Sequence, residues 1–119
     1  MPDLTCELYA LLQPLTQAVY YHFPAAGTVF PCLTLCETGN EVCARAEGKP
    51  CLYALEYTLE VWAQGVQGVH DLSVKADALL TAYGLVRTWC CDLFDTDTRA
   101  HRRVMRYRTL CDENGVLTQ

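Results

Sequence analysis

The chain has 119 residues, about half of them hydrophobic, and a formal net charge of −5. This length supports one hydrophobic core but not two, so we predict a single domain over residues 1–119. Charge or proline interrupts every apolar run before the roughly 18 residues of a membrane span, and the N-terminal residues lack a signal-peptide pattern, so we expect a soluble protein without a secretory signal.

Leucines at helical spacing predict a first helix near the N-terminus. Asp3 is suited to cap this helix because its carboxylate can accept a hydrogen bond from a free backbone N–H. Pro14 should end or kink it near Leu12 or Gln13, because the residue before a proline avoids the α conformation.

An extended segment, a turn and a first long strand are predicted next. Val19–Phe23 has the β-branched and aromatic composition of extended chain, and Pro24–Gly27 is typical of a turn. In the strand predicted at Thr28–Glu37, Pro31 indicates an edge position or a bulge, because proline cannot donate a ladder hydrogen bond. The segment 38–50 combines glycines, asparagine, proline and charge, and predicts a long mobile loop.

The clearest strand signal lies between Leu52 and Ala63. Apolar side chains at odd positions alternate with polar side chains at even positions, which predicts one face in the core and the other in solvent. The apolar set is Tyr53, Leu55, Tyr57, Leu59 and Val61, and the polar set is Glu56, Thr58 and Glu60.

The C-terminal half predicts a second helix and a second hairpin. The helix should run from about Val69 to Tyr83 with Gly84 as its C-cap. Strands are expected at Val86–Phe94 and Arg99–Leu110, joined by a tight turn at residues 95–98. The order α-β-β-α-β-β predicts an α+β fold, an antiparallel four-stranded sheet with two helices on one face.

The last of these strands contains most of the positive charge. Five of the nine Lys and Arg residues fall within Arg99–Arg108, which contains no acid, whereas the rest of the chain is strongly acidic. Strand alternation predicts that His101, Arg103, Met105 and Tyr107 share one face, and that Arg102, Val104, Arg106 and Arg108 share the other. We call Arg102, Arg106 and Arg108 the arginine row.

Three roles are open for the arginine row. It can pair with Glu56 and Glu60 if the two strands are neighbours, each pair contributing a few tenths to about 1 kcal/mol. It can instead form a protein interface. A small nucleic-acid-binding module using strand 99–108 is the third reading, and it predicts DNA affinity that falls steeply with salt.

The eight cysteines do not follow a standard metal or disulfide pattern. Without a secretory signal, reduced thiols are favoured over a disulfide framework. Cys32 and Cys36 are too far apart along a strand to share one tetrahedral zinc ion, and Cys90 and Cys91 should point to opposite faces. Cys43 and Cys51 are the one plausible nucleus of a zinc site or a disulfide, and we predict no cofactor.

The residues also argue against an enzyme. Ser73 is the only serine, and it lies within the predicted second helix without a nucleophile-elbow motif. No phosphate-binding glycine loop and no zinc-protease motif occur, and the three histidines are scattered. Asp92, Asp95 and Asp97 could hold a cation, but acids beside a hairpin turn more often serve turn geometry.

Several segments together resemble a known family. They are Phe30-Pro-Cys-Leu-Thr-Leu, Leu55-Glu-Tyr-Thr-Leu-Glu-Val-Trp-Ala63, the helix end Tyr83-Gly-Leu, and Asp97-Thr-Arg-Ala-His-Arg-Arg-Val-Met-Arg-Tyr-Arg108. In these patterns and in element order, residues 19–108 resemble the tail terminators, or minor tail U-like tail-completion proteins, of long-tailed bacteriophages and prophages. The cysteine content departs from that family.

The resemblance implies a structural virion protein of the tail or neck, assembled in the bacterial host cytoplasm. It implies a homo-oligomeric ring, usually a hexamer, that ends tail-tube growth and offers a surface for head-tail joining. The implied partners are other copies of the chain, the tail-tube protein and a head-tail connector, with DNA passing through unbound. A different connector or neck protein is the alternative. The expected subunit or tube contacts are Arg102, Arg106, Arg108, Glu56, Glu60, Glu41, Arg45 and Lys49.

Overall fold

The structure, a computed structural model, describes residues 1–16, 18–24 and 30–118. Within these ranges the chain forms two α-helices, one 3₁₀-helix and six strands. Their bounds are α1 Thr5–Leu12, the 3₁₀-helix Gln13–Leu15, β1 Val19–Tyr21, β2 Cys32–Ala46, β3 Lys49–Ala63, α2 Val66–Tyr83, β4 Val86–Phe94, β5 His101–Cys111 and β6 Leu117–Thr118. In the described part of the chain, neither helix is long and apolar enough to cross a membrane.

The strands form one mixed sheet in the order β1-β2-β3-β5-β4, and β6 pairs with the end of β5. The α+β class is confirmed, but the prediction of a four-stranded antiparallel sheet is wrong. β1 pairs in parallel with β2 through Val19–Tyr21, and the two-residue β6 adds a further antiparallel pair. β1 lies within Val19–Phe23, the segment predicted to be extended, but its place in the sheet was not predicted. β6 is too short to produce an alternation that can be recognised in the sequence.

The segment predicted as a loop, residues 38–50, is the end of a long hairpin. β2 continues to Ala46 and β3 begins at Lys49, with Glu47 and Gly48 at the turn in positive φ. We call residues 39–51 the arm. From Glu41 to Lys49 every arm residue is exposed. Since neither face of the arm enters the core, its sequence shows no apolar alternation, and its polar, glycine-containing composition is also that of a loop.

The main core lies between one face of the sheet and the two helices. The odd positions of β3 are buried as predicted, and they pack with Leu8, Leu12, Leu72 and Leu80 from the helices. The predicted helical layer on one face is therefore confirmed. We call the opposite side of the sheet the open face.

The helix ends follow the sequence signals with one exception. α1 ends at Leu12 before Pro14, and α2 ends at Tyr83 before Gly84, both as predicted. The prediction that Asp3 caps α1 is wrong, because the cap position is Leu4 and its side chain makes no cap bond. Asp3 instead accepts a hydrogen bond from the backbone N–H of Thr5 at 2.9 Å, a local turn one residue early.

The remaining boundaries shift by a few residues. α2 begins three residues before the predicted Val69, β4 has the predicted bounds, and β5 runs two residues later at its start than the predicted Arg99. Pro31 lies immediately before β2 rather than within it. Residues 25–29, which carry most of the predicted turn and the start of the first long strand, lie outside the described residues.

Gly84→Ala is expected to destabilise the fold by about 1–3 kcal/mol. Gly84 has φ +121°, and a Cβ at this position would lie 2.7 Å from Cδ1 of Leu117. Gly65→Ala is the matched control, because nothing lies within 4 Å of a Cβ there and its φ is −130°. Chemical denaturation of the three proteins measures the difference, and equal stability of the two variants would contradict this reading.

Candidate subunit interface

The arginine row lies on the open face, as strand alternation predicts. In β5, Met105 and Tyr107 are fully buried on the helical side, whereas Arg106 and Arg108 are exposed. β5 is the direct antiparallel neighbour of β3, and Glu56 is opposite Arg108 in the register. The strand adjacency required for internal pairing is therefore present.

Arg102 is held within the sheet. Its Nη1 lies 3.5 Å from Oε1 of Glu60, and its guanidinium carbon lies 4.9 Å from the centre of the Trp62 ring. Trp62 is only 5% exposed and stacks on Phe30 with ring centres 6.2 Å apart. A small second core, built around Trp62, Cys32 and Ala100, thus lies on the open face, and Arg102 covers part of it.

Arg106 and Arg108 keep their charges exposed. The guanidinium carbon of Arg106 lies 4.7 Å from the centre of the Trp89 ring, so this side chain reaches from β5 across β4. Glu56, opposite Arg108, accepts a hydrogen bond from Thr38 Oγ1 at 2.9 Å. Among the described residues, neither Arg106 nor Arg108 lies within 4.0 Å of a carboxylate oxygen.

Arg103 projects to the helical side and is fully engaged there. Its Nε donates to Oδ1 of Asp92 at 2.6 Å and its Nη2 to Oδ2 at 3.2 Å, while Nη1 lies 3.3 Å from Nδ1 of His70. The hydrogen bond from Arg103 lowers the pKa of Asp92 and raises that of the guanidinium itself. Asp95 accepts the backbone N–H of Thr98 at 2.8 Å and so shapes the turn. Asp92 and Asp95 thus bind groups of their own hairpin.

The other predicted contact residues lie on the arm. Glu41 is opposite Ala54 on the open face, and Lys49 is opposite Ala46 at the tip. Arg45 donates through Nη1 to the carbonyl oxygen of Gly48 at 3.4 Å. Since β3 separates β2 from β5, the eight predicted contact residues divide into two surfaces, the arginine row with Glu56 and Glu60, and the arm.

The exposed outer edge of the sheet was not predicted. β4 is the last strand on its side, and its exposed apolar side chains include Trp89 at 44%, Leu93 at 42% and Phe94 at 47%. A bulge at Thr88 shifts the alternation, so that Val86, Trp89, Cys91 and Leu93 share the open face. This shift hides the pattern from a simple odd-even count. The aromatic and aliphatic residues of β4 were the one feature of the sequence that could have indicated an exposed apolar edge.

The buried thiol of Cys32 and the half-buried thiol of Cys36 are unreactive. Burial raises the pKa of Cys32 to about 12, and burial followed by the charge of Glu60 raises the pKa of Cys36. These thiols stay protonated at neutral pH, and a protonated thiol is neither a nucleophile nor a good metal ligand. Cys43 and Cys51 are exposed free thiols on the two strands of the arm. Within the described ranges, no three His, Cys, Asp or Glu residues are grouped so that they could hold a metal ion.

The fold defined by these elements also occurs in a chain of a known virion. A chain from a solved structure described as "Virion of native gene transfer agent (GTA) particle" superposes with a TM-score of 0.69. The match covers 88% of this chain and 91% of the other chain at 13% sequence identity. No protein-family model and no curated protein matches the sequence. The likeness therefore shows a shared fold over nearly the whole length of both chains.

Proposed function

We propose that this chain is a structural protein of a phage-like virion that acts as a tail terminator. It assembles with copies of itself into a ring, taken as a hexamer, that ends tail-tube growth and offers a surface for head-tail joining. The observation that carries this proposal is the fold shared with a virion chain over 88% of this protein and 91% of the other. The sequence resemblance to tail terminators supports the more specific role.

The two predicted contact surfaces fit a ring. A ring subunit meets its two neighbours through different patches, because head-to-tail contacts that close on themselves are heterologous. The exposed part of the arginine row lies on β5, on one side of β3, and the β2 strand of the arm lies on the other side. The row is purely cationic, whereas the arm carries charges of both signs. The arginine row can therefore contact one neighbouring subunit and the arm the other. Alternatively, one of the two surfaces can contact the tail-tube protein.

Direct DNA binding receives less support from the contacts of the arginines. Arg102 is paired with Glu60 and Arg103 with Asp92, which leaves fewer guanidinium groups for phosphates. Each phosphate contact adds salt-dependent affinity, whereas a ring that passes DNA must not retain it.

Assembly in the bacterial cytoplasm and a final place in the tail or neck follow from the proposed role.

The purified protein is expected to form rings, either alone or when purified tail tubes are added. Light scattering measures the mass in solution, and negative-stain imaging shows whether rings cap the tube ends. A chain that stays monomeric at high concentration and never caps tubes would contradict the proposal. Rings that bind the connector but not the tube would assign the protein to a different neck position.

A further inference from the structure

The outer edge of β4 has few of the features that protect sheet edges. The strand contains neither lysine nor proline, its bulge at Thr88 leaves Trp89–Phe94 regular, and its acid Asp92 is paired with Arg103 on the helical side. Unpaired edge strands are blunted by such residues in monomeric proteins, because their free N–H and C=O groups pair readily with another chain. This edge also exposes the indole of Trp89 and the side chain of Leu93. It has the character of an interface.

The arm presents a second open edge on the other side of the sheet. β1 pairs only with Leu33–Leu35, so β2 from Gly39 onward has no strand on its outer side among the described residues. Register shifts before Gly39 and after Val42 delimit a regular stretch between them. These four residues can add to a neighbouring strand, as edge-strand recognition requires.

The two edges run in compatible directions. β2 and β5 point one way and β3 and β4 the other, since each of the β2–β3, β3–β5 and β5–β4 pairs is antiparallel. A second copy placed beside β4 with its open face on the same side therefore presents its β2 antiparallel to β4. This pairing continues the alternating strand directions of the sheet from one subunit into the next.

Charge then selects a register. Directly opposed residues of an antiparallel pair share a face, so Glu41 of a neighbour falls opposite Val86, Trp89, Cys91 or Leu93. Opposite Trp89, its carboxylate comes beside the guanidinium of Arg106, which lies across that indole ring at 4.7 Å and has no acidic partner among the described residues of its own chain. The position explains why Arg106 extends toward the edge.

We infer that the arm of one copy pairs with the β4 edge of the next copy, and that Glu41 binds Arg106 across this contact. The inference rests on the proposed ring, because it assigns the surfaces through which neighbouring copies meet. It makes the sheet continuous between subunits. The interface is heterologous, with one half on each side of the molecule.

Charge reversal at either half tests the pairing. Arg106→Glu and Glu41→Arg should each abolish rings, or raise the protein concentration needed for them at least about tenfold, because like charges then meet at the contact. An equimolar mixture of the two variants should restore rings, since alternating copies of the two then bring opposite charges together at every contact. The chain carrying both changes should assemble alone. Native mass spectrometry and light scattering measure the species.

The matched controls are Lys75→Glu on α2 and Glu7→Arg on α1, which make the same charge changes at exposed helical sites. Both should assemble like the unmodified protein, and circular dichroism should show that every variant keeps the folded secondary structure. The inference would be overturned if Glu41→Arg alone formed rings at the concentration at which the unmodified protein does. A two-fold contact between two β4 edges predicts that result, because it does not involve Glu41. Failure of the mixture and the double variant would also overturn it. The ring proposal itself fails only if the unmodified protein forms no rings alone or on tubes.

Discussion

Trp62→Ala is expected to reduce the free energy of unfolding by about 3–5 kcal/mol, the usual cost of removing a large buried aromatic side chain. Trp62 is 5% exposed and organises the second core on the open face. Its ring stacks on Phe30 and lies under Arg102, and its Nε1 donates to Oγ1 of the buried Thr34 at 3.3 Å. Removing the indole leaves a cavity and releases Arg102. Urea denaturation measures the loss.

Trp89→Ala is the matched control for this prediction. Trp89 also lies beneath an arginine, but it is 44% exposed on the edge strand. Its removal should cost about 1 kcal/mol or less of stability, the scale of an exposed cation–π contact. We expect it to weaken assembly instead. A larger stability loss for Trp89→Ala than for Trp62→Ala would contradict the assignment of Trp62 to the core and of Trp89 to the exposed edge.

Raising the pH above about 9 is expected to lower stability steeply, by about 1.4 kcal/mol per pH unit for each group that must ionise on unfolding. Burial raises the pKa of Cys32 from 9.0 to about 12. Burial likewise raises the pKa of Tyr57 and Tyr107 above their ordinary value of 10.0. Because the folded pKa values are raised, this stability is complete below the unfolded values and is lost as the pH rises toward the folded ones.

Tyr107→Phe isolates one of these groups. The Tyr107 hydroxyl donates to Oδ1 of Asp77 at 2.6 Å, so the variant loses a hydrogen bond and is less stable at neutral pH. It should also lose less stability between about pH 10 and pH 11, because one group no longer ionises on unfolding. Urea denaturation across this range measures both effects. Identical pH dependence in the two proteins would show that folding does not raise the pKa of the Tyr107 hydroxyl.

The elements that could be predicted are those with one face in the core. β3 shows strict alternation because Leu55, Tyr57 and Leu59 all enter the same apolar layer, and α2 shows helical spacing for the same reason. The arm could not be recognised, because a hairpin exposed on both faces carries no such pattern. The extended conformation of β1 was predicted, but its parallel pairing with β2 was not, because a pair of only three residues leaves no local pattern that identifies the partner strand.

The positions of the candidate interface residues on the sheet were predicted in part. Counting along β5 correctly placed Arg106 and Arg108 on the open face, because no register shift interrupts its pairing with β3. Counting along β4 could not place Trp89 there, because the bulge at Thr88 reverses the alternation. The interaction between Arg106 and Trp89 depends on which strands are neighbours. That information is tertiary and has no local signature in either strand.

The pairing of β3 with β5 bears on the order in which the chain can fold. β2 with β3, and β4 with β5, are hairpins whose partners are close in sequence. β3 and β5 are neighbours in the sheet, yet the whole of α2 and β4 separates them along the chain. Closing so long a segment costs entropy before any contact repays it, whereas each hairpin can close locally. We therefore expect the core around Tyr57 and Tyr107, which face each other across this pair, to form when the two hairpins dock.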